Sequence, residues 1–182
     1  IGSGLSSSAA LEIAMVVAIE ALSGQELSPV KRALLGQQAE SIVTLGGRQQ
    51  RLKRDQVMVT GDIGCTILGM NPPFDTVWNE VSMGASIGIA QGYVHSGVET
   101  PVIATIGDST FFHGGIPSLI NAVQHQTELT LIIMDNGWTA MTGMQVNAGT
   151  AQAFQPGGRR VDIARIVPAL GVEHFFEIDP FD

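Results

Sequence analysis

Two short β-branched runs stand out in the hydrophobic pattern, Val102-Ile103-Ala104-Thr105-Ile106 and Leu131-Ile132-Ile133-Met134, each closed by a polar tip. The first ends on Gly107-Asp108-Ser109, the second on Asp135-Asn136, and a segment of helical length separates them. That order predicts strand, helix and parallel strand. In an open parallel sheet both tips lie at the carboxyl edge, where ligands bind. Asp108 and Asn136, 28 positions apart, are therefore predicted to face one another across a crevice.

The rest of the pattern falls into three parts. Residues 1–10 form a glycine and serine loop that runs into a predicted helix at 8–22, ended by Ser23-Gly24. Ser28 as cap and Pro29 at the first helical position open a second helix to about Glu40. Residues 41–55 read as a junction, with Gly46-Gly47 as a turn and Arg48, Arg51, Lys53 and Arg54 as a solvated helical face or a patch for an acidic partner. From Gln56 the texture changes to short β-rich runs alternating with small-residue helices. Val57-Met58-Val59 is the first predicted strand, 76–81 the next, and a helix begins at Met83. Pro117 marks the first turn of a later helix, 147–158 is a polar, glycine-rich stretch that reads as a mobile loop over the crevice, Arg159-Arg160 opens a last helix and 172–178 reads as a last strand. The predicted fold is α/β, a doubly wound, mostly parallel sheet over 56–182, preceded by a helical N-terminal segment over 1–40.

Charge sharpens the picture of the two tips. No Lys or Arg falls between Asp55 and Gly158, a span that holds eight carboxylates. A phosphorylated ligand bound there needs a cation, with the Ser109 and Thr110 amides adding partial positive charge. One carboxylate and one amide carbonyl suit Mg²⁺, which fills its octahedron with phosphate and water. Gly107-Asp108-Ser109 also fits an ordinary strand-to-helix turn with an Asx cap.

Composition narrows the classes. A hydrophobic share of 45% leaves ample apolar surface for a core, and a net charge of −8 argues against nucleic acid as a partner. The single cysteine, Cys65, excludes an intramolecular disulfide and a self-contained iron–sulfur cluster, and fits a reducing cytoplasm. The longest early apolar run, 13–19, falls far short of the ~20 residues that cross a bilayer, and no signal peptide is recognisable. An initial Ile and a final Asp-Pro-Phe-Asp make both ends look cut.

Gly107-Asp108-Ser109 followed by Asp135-Asn136 resembles the thiamine diphosphate motif. Val59-Thr60-Gly61-Asp62-Ile63-Gly64-Cys65, Ser82-Met83-Gly84-Ala85-Ser86-Ile87-Gly88, Gly107 to His113 and Thr139-Ala140-Met141-Thr142-Gly143 extend the likeness. These four ordered blocks resemble the cofactor domain of the 2-oxoacid:ferredoxin oxidoreductases, nearest to the large subunit of the indolepyruvate branch. The resemblance implies a thiamine diphosphate-binding fold over about 56–182, with Mg²⁺ held by Asp108, Asn136 and the backbone carbonyl of Trp138. It implies diphosphate contacts at Gly107, Asp108, Ser109 and Thr110, and a cofactor pocket that includes Gly64, Cys65, Met83, Gly84, His113 and Met141. The implied activity is oxidative decarboxylation of a 2-oxoacid, with the acyl group passed to coenzyme A and electrons to ferredoxin. Iron–sulfur clusters and the activating glutamate of that family belong to other segments or partners, so an oligomer is implied and the chain alone is expected to bind weakly and turn nothing over.

Several of these residues also have plainer readings. Cys65 fits a small buried thiol. The glycines at 84, 88 and 92 fit close helix-to-sheet packing as well as a flat cofactor, and His113 beside two phenylalanines fits a packed residue. The family's Cys-rich segment is absent near 41–55, and Gly137-Trp138 departs from its usual pair.

Residues 1–40 resemble a different family, the small-metabolite kinases that include galactokinase. Gly4-Leu5-Ser6-Ser7-Ser8-Ala9-Ala10 is close to their ATP phosphate loop, which implies phosphate binding at Gly2 to Ser8. The catalytic aspartate segment of that family is replaced by Ser41-Ile42-Val43-Thr44-Leu45, so the chain reads as a chimera.

Overall fold

The computed structural model describes residues 41–45, 48–52, 56–71, 76–150 and 157–178. The predicted helices at 8–22 and 28–40, and the phosphate loop before them, lie outside the described residues.

Strands β1 (Ser41–Leu45) and β2 (Arg48–Leu52) pair antiparallel, with Leu45 opposite Arg48 and Ser41 opposite Leu52. The solvated helical face expected around Arg48 and Arg51 is thus a strand instead. The Ile-Val-Thr run of β1 has strong strand preference, and Gly-Gly is a dipeptide suited to a two-residue hairpin connection.

The main sheet holds β3 (Met58–Thr60), β4 (Val102–Gly107) and β5 (Thr130–Met134), all parallel, in the order β3-β4-β5. The expected parallel α/β architecture is therefore present. Strand β4 is central and buried along Val102–Ile106, and its side chains alternate between two cores. Val102, Ala104 and Ile106 meet Ile87, Ala90, Phe111, Leu119, Ala122, Ile163 and Val167 from the helices. Ile103 points to the other face and meets Val57, Val59 and Val77. Beside Val77, the 3-10 helix Cys65–Met70 brings Gly69 so close that a Cβ there would stand 3.0 Å from a Val77 methyl.

Among the described residues three α-helices line the larger core: α1 (Ser86–His95), α2 (Ile116–Gln124) and α3 (Ile163–Ala169). Helix α1 begins three residues later than the pattern predicts, because Gly84 takes a φ of +82° and gives its N–H to Asp62 rather than to a helical turn. Pro117 does sit in the first turn of α2, yet helical structure already begins at Asp108. A single turn, Asp108–Thr110, passes into a π-helical stretch, Phe111–Gly115, before α2.

Three other expectations are corrected. The segment 76–81 makes only a bridge between Asn79 and Thr60, because it turns away after two hydrogen bonds, Trp78 N to Val59 O and Gly61 N to Asn79 O. The last helix starts at Ile163 and not at Arg159, because extended Asp162 caps it, its Oδ1 accepting from Ala164 N at 3.0 Å. Residues 172–178 form no strand: Val172 and Phe175, three apart, reach the core while Phe176 is exposed, a spacing that a strand with one buried face does not give. Among the described residues no helix is long and apolar enough to cross a membrane.

Candidate functional site

The parallel register sets the site. Gly107 pairs with Met134, so the tips of β4 and β5 leave the sheet side by side. Asp108 follows the first tip as the first residue of a helical turn, and Gly107 before it makes no side-chain cap. The simple Asx-capped turn is therefore not what forms. Asp108 is 2% exposed, and Ser109 and Thr110 are buried with it.

Burial pushes the Asp108 carboxyl above the ordinary aspartate range. The Asn147 side chain and the Ser109 and Gly137 backbone N–H groups lower it by hydrogen bonding, whereas the charge of Asp135 raises it further. Among the described residues no cationic side chain pairs with Asp108. Arg160 reaches the neighbouring tip, but its Nη2 lies 3.5 Å from Asp135 Oδ2, so that cation is already engaged with another carboxylate.

The second tip is a chain of tight turns. Gly137 N donates to Asp135 Oδ1 at 3.0 Å, and Trp138 N donates to Asn136 Oδ1 at 2.9 Å. Gly137 itself takes a φ of +72°, which favours glycine there. Asn136 is exposed and keeps one lone pair of its carbonyl free, since an amide oxygen carries two. Ser109 Oγ lies 2.6 Å from Thr139 Oγ1 and ties the first tip to the loop beyond the second. Thr139 pairs with Gln145 across a small antiparallel bridge, which leaves Met141 at its end 51% exposed.

The pocket residues from the earlier blocks arrive in two groups. Gly84 packs against the π-helical stretch, where a Cβ would stand 3.4 Å from Gly114 Cα; Met83 and His113, the residues before these two glycines, are both exposed. Gly64 and Cys65 are half-buried beyond β3, at the same carboxyl edge, and no hydrogen bond links them to Asp108 among the described residues. Gly88 and Gly92 have nothing within 4 Å of a Cβ, so they do not serve close packing within the described residues.

Four partners of the tips were not foreseen from sequence. Asn147 Nδ2 donates to Asp108 Oδ2 at 2.9 Å, Thr150 Oγ1 donates to Gly137 O at 2.6 Å, Thr139 meets Ser109, and Arg160 meets Asp135. The first two lie on the loop expected over the crevice, and their local signal is the Asn-x-Gly turn at 147–149, in which Asn147 Oδ1 accepts from Gly149 N at 2.7 Å. His95 and His125, given no role above, stack edge to face at 6.0 Å where α1 and α2 end, beside a cleft of about 330 Å³.

The donor set fits a hard cation. No three His, Cys, Asp or Glu side chains cluster among the described residues; the Asp108 carboxylate with neutral oxygens, Asp135 being engaged by Arg160, is a set suited to Mg²⁺ shared with a phosphate. The buried, uncompensated charge of Asp108 is the feature that such an ion would relieve.

Comparison with known proteins bears on the family. Residues 1–49 match the GHMP kinases N terminal domain, and residues 54–182 match the family described as thiamine pyrophosphate enzyme, C-terminal TPP binding domain. Indolepyruvate oxidoreductase subunit IorA of Pyrococcus horikoshii is 41% identical over 134 residues, 66% of this chain and 21% of that protein. The subunit IorA of Archaeoglobus fulgidus is 44% identical over 122 residues, 66% of this chain and 19% of that protein. The chain thus spans about a fifth of the length of these relatives. A solved 2-oxoglutarate:ferredoxin oxidoreductase from Magnetococcus marinus aligns with a TM-score of 0.48 at 21% identity, over 54% of this chain and 34% of that one. By the match over 54–182, which takes in both strand tips, the chain belongs to the thiamine pyrophosphate enzymes through their C-terminal cofactor-binding domain.

Proposed function

We propose that this chain is the thiamine diphosphate and Mg²⁺-binding portion of an indolepyruvate-type 2-oxoacid:ferredoxin oxidoreductase, incomplete on its own and working in the cytoplasm. The observation that carries the reading is the buried Asp108 carboxylate, without a cationic partner among the described residues, at a strand tip adjacent to the one that Asn136 follows. Asp108, Asn136 and the Trp138 carbonyl would hold the cation, and the Ser109 and Thr110 amides would take the diphosphate at the start of a helical segment. Gly64, Cys65, Met83, Gly84, His113 and Met141 would line the remainder of the cofactor pocket. When bound, thiamine diphosphate supplies the electron sink for decarboxylation of a 2-oxoacid. The chain's own residues grip, orient and screen. Coenzyme A, ferredoxin and iron–sulfur clusters would be met by other segments or subunits of an oligomer. The names and identity of the IorA relatives support the indolepyruvate assignment.

Calorimetric titration of the chain with thiamine diphosphate and Mg²⁺ tests this. Heat is expected with both present, and Asp108→Ala abolishes it; no heat with the unaltered chain refutes the reading.

The kinase-family match at 1–49 favours a second reading for that part alone, a loop at Gly2 to Ser8 that takes the phosphates of ATP. ATP binding lost in Ser6→Ala and retained in Asp108→Ala supports it. No ATP binding at all sinks it.

A further inference from the structure

Asp108 Oδ2 accepts the Asn147 side-chain amide N–H at 2.9 Å. That bond engages one of the two carboxylate oxygens and leaves Oδ1 as the oxygen turned to other partners. Asn147 is itself fixed through both its side chain and its backbone. Its Oδ1 accepts from Gly149 N at 2.7 Å, which forces Nδ2 toward Asp108, and its backbone N donates to Thr150 Oγ1 at 2.8 Å. Thr150 in turn donates to Gly137 O on the second tip, and the Phe112 ring leaves room for nothing larger than glycine at 149.

We infer that Asn147 is a positioning residue that makes Asp108 a one-oxygen ligand, so the site selects a small six-coordinate cation over a larger one. The inference rests on the proposed cofactor reading and goes beyond it, to metal specificity. Mg²⁺ takes single carboxylate oxygens in a tight octahedron, whereas Ca²⁺ accepts both oxygens of one carboxylate in a looser shell. Removing the Asn147 amide frees Oδ2 and opens the two-oxygen mode.

The test titrates the whole chain with Mg²⁺ and with Ca²⁺, thiamine diphosphate present, before and after Asn147→Ala. Groups that hydrogen-bond a metal ligand alter affinity by about ten- to a hundred-fold. Mg²⁺ affinity is expected to fall within that range and Ca²⁺ affinity to fall less, so that the Mg²⁺ over Ca²⁺ preference narrows by about ten-fold. An unchanged preference overturns the positioning role, since general loosening weakens both ions alike. If Asn147→Ala does not fold, ¹⁵N NMR of the unaltered chain decides: the Asn147 side-chain amide keeps its hydrogen-bonded shift as Mg²⁺ and thiamine diphosphate are added. Release of that amide overturns the inference. Failure of the unaltered chain to bind either cation overturns the cofactor reading and this inference together, which is distinct from binding with an unaltered preference.

Discussion

The carboxylate of Asp62 holds the backbone of Gly84: Oδ1 accepts the Gly84 N–H at 2.8 Å, while Oδ2 accepts that of Ser86 at 3.1 Å. A fully buried acid at the end of β3 thereby serves as the missing cap of α1, whose own Ala85 offers no side-chain acceptor. It also fixes the loop that carries Met83 against the π-helical stretch.

Replacing Asp62 with Ala leaves one buried and one half-buried N–H group without acceptors, at a cost of about 1–3 kcal/mol each. Urea unfolding is expected to show a loss of about 2–4 kcal/mol. A loss below about 0.5 kcal/mol would mean that water replaces the carboxylate and the clamp contributes little. Asp62 also acts on Glu80, whose carboxyl is raised first by burial and then by the Asp62 charge. In Asp62→Asn, ¹³C NMR should find Glu80 titrating lower than in the unaltered chain but still above an ordinary glutamate, because the burial contribution stays.

Asp108 sets a pH dependence of opposite sign to a salt-bridged aspartate. Its folded value lies above its unfolded one, so between the two the folded chain binds more protons than the unfolded chain. Its contribution is fully present below the ordinary aspartate value and is lost as pH rises through the raised one. Metal-free Asp108→Asn is therefore expected to unfold at higher urea than the unaltered chain at neutral pH, with the gap closing in acid. Unfolding midpoints measured from acid to neutral pH check this, and equal midpoints at neutral pH contradict it.

The pair Ser109 and Thr139, 2.6 Å apart, joins the helical turn after β4 to the loop after β5. A double-mutant cycle of Ser109→Ala and Thr139→Val measures what that hydroxyl pair contributes. A coupling of about 0.5–1.5 kcal/mol is expected for a partly buried hydrogen bond between neutral groups. Strict additivity would show that the two tips are held by the backbone turns and by Asn147 instead.

Strands β4 and β5 and the pairing of their tips were legible because β-branched runs closed by polar residues need no information from elsewhere in the chain. What failed depended on partners far along the sequence. Asn147 reaches Asp108 across 39 positions, and nothing in its neighbours says which carboxylate it meets. Residues 172–178 have strand-like composition, yet a strand exists only where another offers its edge. The π-helical stretch was hidden for a related reason. Gly114-Gly115 reads locally as a break, but Gly114 lies against Gly84, and a Cβ at 115 would come within 2.9 Å of Phe111.

The glycines at 84, 88 and 92 share one spacing but occupy different physical situations. Gly84 lies outside α1 at φ +82°, with the Gly114 backbone 3.4 Å from where a Cβ would stand. Gly84→Ala is thus expected to destabilise by about 1–2 kcal/mol, through backbone strain. Gly88 is inside α1, exposed, and meets nothing within 4 Å, so alanine there restricts the unfolded chain without a clash in the folded one. Gly88→Ala should stabilise by about 0.5–1 kcal/mol. Thermal unfolding of the two variants decides, and the signs matter more than the sizes. A destabilising Gly88→Ala would mean that another surface already rests on this face of α1 in solution.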